Sequence, residues 1–535
     1  MKKKPNFLMF INDQHRADHL GCYGNKIVQT PHIDEMASRG ARFNRFYVAC
    51  PICMPNRATL MTGRMPSLHG VRQNGIPLPL QATTFTHSLS AAGYHTALFG
   101  KSHLQCISAN KIETGLPVPD LNKIQPPEEI SEATRSIWND GRYDQELPPT
   151  WKENPNFEPD LPFYGFDEIS LAIGHSDRVT GHYSRWLAER HPDPDSLRGP
   201  DNSLPSNKQI KAPQAWRTRI PEELYPTTFV AEQTIEFLNR HAKTGSDKPF
   251  FVQCSFPDPH HPFTPPGKYF DMYDPEDVPA PDAFFHPAEK LPPQVAALHA
   301  ERDQGNATKT AQRAFGCTEE EAREAIALNY GSITMIDDSI GRVLASLDKN
   351  GMLENTVIIF TTDHGDFMGD HQLLLKAAIH YQGLIRVPCI WVDPTNPSQG
   401  ISNDSLCGTL DLANSILDRA GVEGFNGMQG LSLSQIIENG SGHDSMVIEE
   451  GQRRGYMGLE PNFRARTLVT ADWRLTMYSG VEWGELYNLK NDPNEFDNLW
   501  NDGASAKIQA ELIEKLARRM MDLSDNSPLA TGHGP

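Results

Sequence analysis

Short apolar runs alternate with segments typical of helices through the first hundred residues of the chain. The apolar runs at 7–11, 43–48 and 96–99 predict buried β-strands. The segments at 30–38, 57–62 and 86–92 predict helices, and Gly93 ends the last of them. Because such alternation is typical of parallel strands joined by helical crossovers, the pattern predicts an α/β sandwich.

The regular pattern stops near residue 107. The stretch 107–226 is rich in Pro, Asp, Asn and aromatic residues, and 262–304 is also irregular, so we expect insertions at both places, the first lying over a functional site. Elsewhere the pattern predicts a helix at 227–241, a strand at 249–255, a long helix from Thr318 to about residue 347 and a strand at 356–361.

The last ninety residues have a different pattern. Short alternating strands are predicted at 463–470, 473–478 and 485–489, followed by an amphipathic helix at 511–523. We therefore predict a large α/β domain over 1–444 and a C-terminal α+β subdomain over 445–535. The subdomain would hold a small antiparallel sheet, a helix and a polar tail.

Composition and charge limit the possible partners. The chain has 535 residues, of which 38% are apolar and 22% charged, and this is enough apolar material for a large core. Its formal charge of −19 would be repelled by a phosphate backbone and by anionic lipid. We therefore expect neither nucleic acid nor a membrane surface as the main partner.

The N-terminus carries an expectation about location. Lysines precede the apolar run at 7–11, but this run is shorter than the roughly 7–15 apolar residues of a secretory signal. No segment approaches the roughly 18 consecutive apolar residues of a membrane span. We expect a cytoplasmic protein.

The eight cysteines do not form the pattern of a disulfide framework. Cys50 and Cys53 have the CxxC spacing of a redox pair or of half a zinc site, but no second CxxC completes a zinc site. A different interpretation of Cys53 depends on the residues that follow it.

The residues from Cys53 to Arg64 carry the most specific pattern in the chain. They read Cys53-Met54-Pro55-Asn56-Arg57, with Thr62-Gly63-Arg64 at a fixed distance. This pattern resembles the C-x-P-x-R and T-G-R signature of the sulfatase family. Further segments resemble family motifs in family order across nearly the whole chain, at 10–18, 30–34, 93–104, 259–263, 362–376 and 485–495.

The resemblance implies both a fold and a reaction. The fold would be an alkaline-phosphatase-like sandwich, with a large mixed, mostly parallel sheet flanked by helices and a small C-terminal antiparallel sheet. The reaction would be arylsulfatase-like hydrolysis of a small-molecule sulfate monoester. In this family a formylglycine-generating enzyme oxidises the cysteine, here Cys53, to an aldehyde. The hydrated aldehyde attacks sulfur, so that covalent catalysis divides one difficult step into two.

The resemblance also implies one divalent metal ion, with Asp13, Gln14, Asp363, His364 and the modified Cys53 as ligands. Many sulfatases have two consecutive aspartates where this chain has Asp13-Gln14, and Asn where it has His364. The pairs found here resemble the choline-sulfatase and phosphonate-monoester-hydrolase branches. Oxygen ligands favour Ca²⁺, which we expect first, or Mg²⁺, and the imidazole also suits Mn²⁺.

Four further residues are expected by resemblance to handle the sulfate group or its nucleophile. Arg57 follows Cys53 by four residues and can steady the aldehyde hydrate. Lys101 and Lys376 can neutralise sulfate oxygens, and Asn74 can donate a hydrogen bond to one.

Histidines would supply the acid and base chemistry. By resemblance His103 is a candidate base for the hydrate. His260 is a candidate acid for the leaving alkoxide and a candidate substrate contact. His261 and His371 are interpreted as structural or as contacts on the substrate side.

Two other functions stay open at this point. A phosphonate monoester or phosphodiester hydrolase would use the same scaffold and nucleophile. However, the phosphonate monoester hydrolases that this chain resembles carry neutral hydroxyl residues where it has Lys101 and His103. A non-catalytic protein that binds sulfated ligands would not need Cys53.

We also expect a homo-oligomer, most simply a dimer, with the tail 524–535 or the insertions in the contact.

Overall fold

The computed structural model describes residues 4–108, 122–124, 126–127, 130, 138, 140–206, 209–285, 291–395, 400–452, 455–526 and 532. In chain order the strands of this part are β1 (Asn6–Asn12), β2 (Ala41–Phe43), β3 (Phe46–Tyr47), β4 (His95–Gly100), β5 (Glu168–Ile173), β6 (Thr180–Gly181), β7 (Phe250–Ser255), β8 (Phe315–Gly316), β9 (Thr356–Thr362), β10 (Leu373–Leu374), β11 (Cys389–Val392), β12 (Ile401–Asn403), β13 (Cys407–Gly408), β14 (Met446–Gly451), β15 (Arg464–Val469), β16 (Trp473–Tyr478) and β17 (Gly484–Asn488). The α-helices are α1 (Pro31–Arg39), α2 (Cys53–Thr62), α3 (Pro66–His69), α4 (Phe85–Ala91), α5 (Pro148–Glu153), α6 (His182–Arg190), α7 (Pro226–Lys243), α8 (Pro293–Asp303), α9 (Glu319–Lys349), α10 (Gln382–Ile385), α11 (Leu412–Ala420), α12 (Leu433–Asn439) and α13 (Ala506–Asp522).

Nine of these strands form one mixed sheet in the order β12-β2-β11-β9-β1-β7-β4-β5-β6. Its central five strands, from β9 to β5, are parallel to their neighbours throughout. Antiparallel pairs occur toward the edges, where β11 pairs with β9 and with β2, and β6 pairs with β5. The predicted large, mixed, mostly parallel sheet is confirmed.

The core lies on both faces of this sheet because alternate residues of the central strands point to opposite sides. On β1, Phe7, Met9 and Ile11 join a cluster with apolar residues of α2, α4 and α11. Leu8 and Phe10 join the opposite cluster, with apolar residues of α1, α7 and α9. Among the described residues, no helix combines the length and apolar character that crossing a membrane requires.

The predicted small C-terminal sheet with a helix is also confirmed. Strands β14 to β17 pair antiparallel in chain order, and Leu512 and Leu516 of α13 pack on the sheet. The sequence pattern predicted the last three strands but not β14. This strand contains Glu449 and Glu450, which are buried, so its pattern does not read as apolar.

The stretches expected to be irregular contain regular elements. Between 107 and 226 the described residues include β5, which adds to the main sheet, and helices α5 and α6, while α8 lies between 262 and 304. Strand β5 has only six residues, and the sequence around it is rich in Pro, Asp and Asn. Its apolar pattern is therefore too short to be recognised. The expected strand at 43–48 divides into β2 and β3, which belong to different sheets.

Candidate active site

Five adjacent parallel strands carry polar residues just beyond their carboxyl ends, at one edge of the sheet. Asp13 follows β1, Lys101 follows β4, Asp363 follows β9, and the loops after β5 and β7 carry His175 and His260. Each of these side chains is at most 7% exposed. The edge formed by the carboxyl ends is where open α/β sheets bind ligands, so we take this buried cluster as the candidate site.

Helix α2 presents Cys53 to the cluster from its first turn. The Met54 amide donates to Asn74 Oδ1 at 3.0 Å, and Asn56 Nδ2 donates to the carbonyl of Asp363. The Asn56 side chain also accepts from the Ala49 amide at 3.1 Å. These contacts fix the start of the helix against the loop that follows β9.

The thiol of Cys53 lies among charged and ligand-type groups. Its Sγ is 3.1 Å from His364 Nε2, 3.2 Å from Lys376 Nζ and 3.9 Å from Asp13 Oδ1. Burial would raise the pKa of this thiol, but the nearby cations, Lys376 first, outweigh burial and lower the pKa below its ordinary value. Cys50 is buried and free, so the CxxC spacing does not correspond to a disulfide.

Two buried carboxylates are paired with cationic side chains. Arg57 Nε donates to Asp363 Oδ2 at 2.8 Å, and its Nη2 lies 4.0 Å from Asp13 Oδ2. Lys101 forms an ion pair with Asp13. Burial would raise the pKa of Asp13, but Lys101 and Arg57 hold it well below the usual range, so this carboxylate is ionised.

The Gln14 amide is oriented with its oxygen toward the cluster. Gln14 Oε1 accepts from Lys376 Nζ at 2.9 Å, while Nε2 donates to Asp366 and lies 3.2 Å from His261 Nδ1. Asp366 is held in turn by the amides of Met368 at 2.8 Å and Leu375 at 3.0 Å. An amide fixed in this way offers its oxygen as a ligand.

Two histidines also direct one ring nitrogen into the cluster. His364 Nδ1 donates to the carbonyl of Gly365 at 2.9 Å, and His260 Nδ1 donates to the carbonyl of His261. Because a carbonyl oxygen only accepts, both Nδ1 atoms are donors, and the Nε2 atoms of His364 and His260 face Lys376 Nζ at 3.1 and 3.0 Å. Burial, with His175 and Lys376 nearby, holds the pKa of His260 well below its ordinary value.

The residues predicted as metal ligands fit a divalent cation. Donor atoms of Asp13, Cys53, Asp363 and His364 lie within 4.8 Å of one another, and all four side chains are buried. The Lys376 ammonium already contacts two of these side chains, as well as the amide oxygen of Gln14. Carboxylate, amide and imidazole donors suit Ca²⁺, Mg²⁺ or Mn²⁺.

The other predicted residues lie around the same cluster, with one exception. The His103 ring lies 6.5 Å from the His175 ring, and His261 stacks on His260 with ring centroids 4.1 Å apart. Asn74 is exposed, and its amide oxygen accepts a hydrogen bond from the Met54 amide of α2. His371 instead stacks on Tyr381, with centroids 3.8 Å apart.

Comparison with known families now identifies the scaffold. The family model for sulfatases matches residues 5–422, which is more than half of the chain. The chain belongs to the sulfatase family. A second model, for the C-terminal region of N-sulphoglucosamine sulphohydrolase, matches residues 369–522.

Individual sulfatases match over nearly full length. An arylsulfatase of Clostridium perfringens (strain 13 / Type A) is 29% identical over 543 residues, covering 99% of this chain and 98% of the relative. A choline-sulfatase of Rhizobium meliloti (strain 1021) is 24% identical over 513 residues, covering 95% and 85%. The predicted identity as a sulfuric ester hydrolase of the sulfatase family is confirmed.

A solved structure matches the fold. The crystal structure of the phosphonate monoester hydrolase of Agrobacterium radiobacter has a TM-score of 0.77 and 24% identity, covering 98% of this chain and 97% of the other. The alkaline-phosphatase-like architecture predicted for this sulfatase is therefore confirmed as well.

Sequence reasoning missed three residues of this sulfatase site. Asp366 lies three residues after a predicted ligand, so its position in the Asp363-His364-Gly365-Asp366 run was an available signal. His175 follows a buried strand and a glycine, but within the stretch that was expected to be irregular. Glu146 had no sequence signal, because it lies in a loop without periodicity.

Glu146 connects the first insertion to the loop that carries Lys101 and His103. Its carboxylate is buried and accepts from the amides of His103 and Gln105, each at 2.7 Å. His103 has a φ of +58°, in the left-handed region that most side chains avoid. The two hydrogen bonds hold this strained turn in place.

We predict that Glu146→Gln lowers both thermal stability and kcat/KM. The glutamine presents an NH₂ group to one of the two amides, which leaves a buried donor without an acceptor, at a cost of about 1–3 kcal/mol. For a chain of this size the expected fall in Tm is about 1–3 °C. Glu153→Gln, an exposed glutamate on α5, is the control and should leave both quantities unchanged.

The cost of this substitution should shrink as pH rises. Burial raises the pKa of Glu146 to about 7, despite the backbone hydrogen bonds that lower it. The folded state therefore holds a proton that the unfolded state releases, and this stabilisation is lost as pH rises through about 7. Glutamine does not titrate, so the Tm difference from wild type should be smaller at about pH 8 than at about pH 5. A difference that grows with pH would contradict this assignment.

Proposed function

We propose that this chain hydrolyses sulfate monoesters, in the manner of an arylsulfatase, through a formylglycine made from Cys53. The observation that carries the proposal is the environment of the Cys53 side chain. It starts α2 and contacts His364 and Lys376 within a buried set of metal-type donors. A structural cysteine would not need this set of partners. When present, formylglycine supplies a hydrated aldehyde with two hydroxyls on one carbon.

The charge of the cluster supports an anionic substrate. Three cationic side chains, Arg57, Lys101 and Lys376, are buried with the carboxylates of Asp13, Asp363 and Asp366, and a bound divalent ion would add two positive charges. A desolvated site with excess positive charge stabilises a sulfate group and the charge that develops on its oxygens. We assign Lys101 and Lys376 to the sulfate oxygens, and Arg57 to the residue at position 53.

A divalent cation would be held by Asp13, Gln14, Asp363, His364 and the modified residue 53. When bound, the ion supplies positive charge that lowers the pKa of a hydroxyl at position 53 and polarises the sulfate. We propose Ca²⁺ first because oxygen donors dominate the set, with Mn²⁺ or Mg²⁺ as alternatives.

Two histidines are proposed to move protons. Burial and Lys101 hold the pKa of His103 well below its ordinary value, and its Nδ1 is buried with no hydrogen-bond partner among the described residues. A neutral imidazole of this kind can accept the proton of the hydroxyl at position 53. His260 Nε2 accepts from Lys376 Nζ at 3.0 Å, and His260 is proposed to pass a proton from this ammonium to the leaving oxygen.

The second candidate is a phosphonate monoester or phosphodiester hydrolase. Its support is the fold match to a phosphonate monoester hydrolase and the Asp13-Gln14 and Asp363-His364 pairs. Lys101 and His103 favour the sulfatase, and we propose slower phosphonate or diester turnover in the same pocket.

The modification of Cys53 requires a formylglycine-generating enzyme as partner. The dimer and the cytoplasmic location stay predictions.

We predict that a peptide containing residue 53 is lighter than its cysteine form by about 18 Da after co-expression with a formylglycine-generating enzyme. Peptide mass spectrometry measures the modified fraction, and sulfatase activity should rise in proportion to it. Cys53→Ala should be inactive. Cys50→Ala, which removes the other cysteine of the CxxC, should keep both modification and activity. Full activity of wholly unmodified Cys53 would overturn the proposal.

We predict that Asp363→Asn loses both bound metal and turnover. The ion loses one of two carboxylate ligands, and the Arg57 guanidinium loses its charged partner. Metal content is measured by elemental analysis after dialysis, with Ca²⁺, Mn²⁺ and Mg²⁺ supplied separately. The control is Asp348→Asn, at an exposed position near the end of α9. Undiminished turnover after exhaustive chelation would refute the metal assignment.

A further inference from the structure

His175 lies inside the cluster, yet it belongs to none of the motifs that identify the family. Its Nε2 is 2.7 Å from Lys101 Nζ and 3.6 Å from Asp13 Oδ2. Its ring stacks on the His260 ring, with centroids 3.7 Å apart and 14° between the planes. One side chain therefore contacts both a proposed sulfate ligand and the proposed proton donor.

The loop that carries His175 is itself held against the loop that carries His260. Ser176 Oγ donates to the carbonyl of His260 at 3.0 Å and also to the carbonyl of Pro262. The buried Asp177 carboxylate accepts from Trp216 Nε1 at 2.8 Å and from Thr218 Oγ1 at 3.0 Å. These contacts fix the position of the ring, as a precise site requires.

The contact with Lys101 defines what the His175 ring can do. An ammonium group only donates hydrogen bonds, so Nε2 of His175 accepts and the ring carries its proton on Nδ1. Asp13, His175 and His260 could together hold a second metal ion. However, the Nε2 atoms of both histidines already accept from Lys101 and Lys376, and a further cation would compete with these ammonium groups.

We propose that His175 is a positioning residue, whose Nε2 fixes the Lys101 ammonium and whose ring face fixes the His260 imidazole. This inference rests on the proposed function, because it assigns Lys101 to sulfate binding and His260 to protonation of the leaving group. The two contacts use different parts of the same side chain. They can therefore be removed separately.

Two substitutions separate the contacts. His175→Phe keeps an aromatic ring against His260 but removes the acceptor for Lys101. His175→Gln keeps an amide oxygen as acceptor but removes the ring. Each variant is assayed on 4-nitrophenyl sulfate, which has a good leaving group, and on phenyl sulfate, which has a poorer one. His191→Phe and His191→Gln, in the same insertion but outside the cluster, are the matched controls.

The two variants should fail differently. We expect His175→Phe to raise KM about tenfold for both substrates, because the Lys101 ammonium loses one of its two partners and keeps only the ion pair with Asp13. We expect His175→Gln to lower kcat for phenyl sulfate about tenfold more than for 4-nitrophenyl sulfate, because only the poor leaving group needs a well-placed acid. If His175→Phe does not fold, His175→Met, which also lacks an acceptor, takes its place in the KM measurement.

The outcomes distinguish this inference from the proposed function. A wild-type protein with residue 53 modified and metal bound, yet without turnover of either ester, contradicts the proposed function itself. An active wild type whose His175 variants stay within about twofold of it overturns the positioning role. Equal losses on both esters in both variants, without the split between KM and kcat, also overturn it, because a purely structural role would produce them.

Discussion

The burial of five charged side chains at one edge of a parallel sheet is the constraint on which the rest of the site depends. Removing ions from water is costly, so each buried charge needs a close partner of opposite sign. Asp363 forms an ion pair with Arg57, and Asp13 forms one with Lys101 and lies near Arg57. Lys376 instead contacts Gln14, Cys53, His260 and His364, and an anionic ester would supply the charged partner for its ammonium.

Much of this site could be predicted, because its residues follow buried strands or belong to a specific motif. Asp13 and Asp363, which the resemblance implied as metal ligands, each follow a buried strand, and the neighbouring parallel strands β1 and β9 carry their ends to one edge of the sheet. Cys53 and Arg57 were marked by a specific signature at the start of a helix. Four of the five central strands of the main sheet, β9, β1, β7 and β4, were also predictable, since they are mostly continuous apolar runs.

The parts that were not predicted depend on tertiary contacts. Strand β14 was not predicted because one of its buried residues, Glu450, is a carboxylate, which is paired with His380 at 3.1 Å. Glu146 and His175 lie in a stretch without periodicity, and what they do is decided by the loops they contact. A sequence pattern reports burial along one element, but not which distant loop a single polar residue reaches.

Specificity between sulfate and phosphonate esters tests the account most directly, because both anions fit a buried cationic pocket. The measurement is kcat/KM for one aryl leaving group presented as sulfate monoester, phosphonate monoester and phosphate diester, on protein with its modified fraction known. Lys101, fixed by His175 in this structure, leads us to expect the sulfate to be preferred, with slower turnover of the other two. A preference for the phosphonate by more than about tenfold, which corresponds to ~1.4 kcal/mol of transition-state stabilisation, would contradict the account.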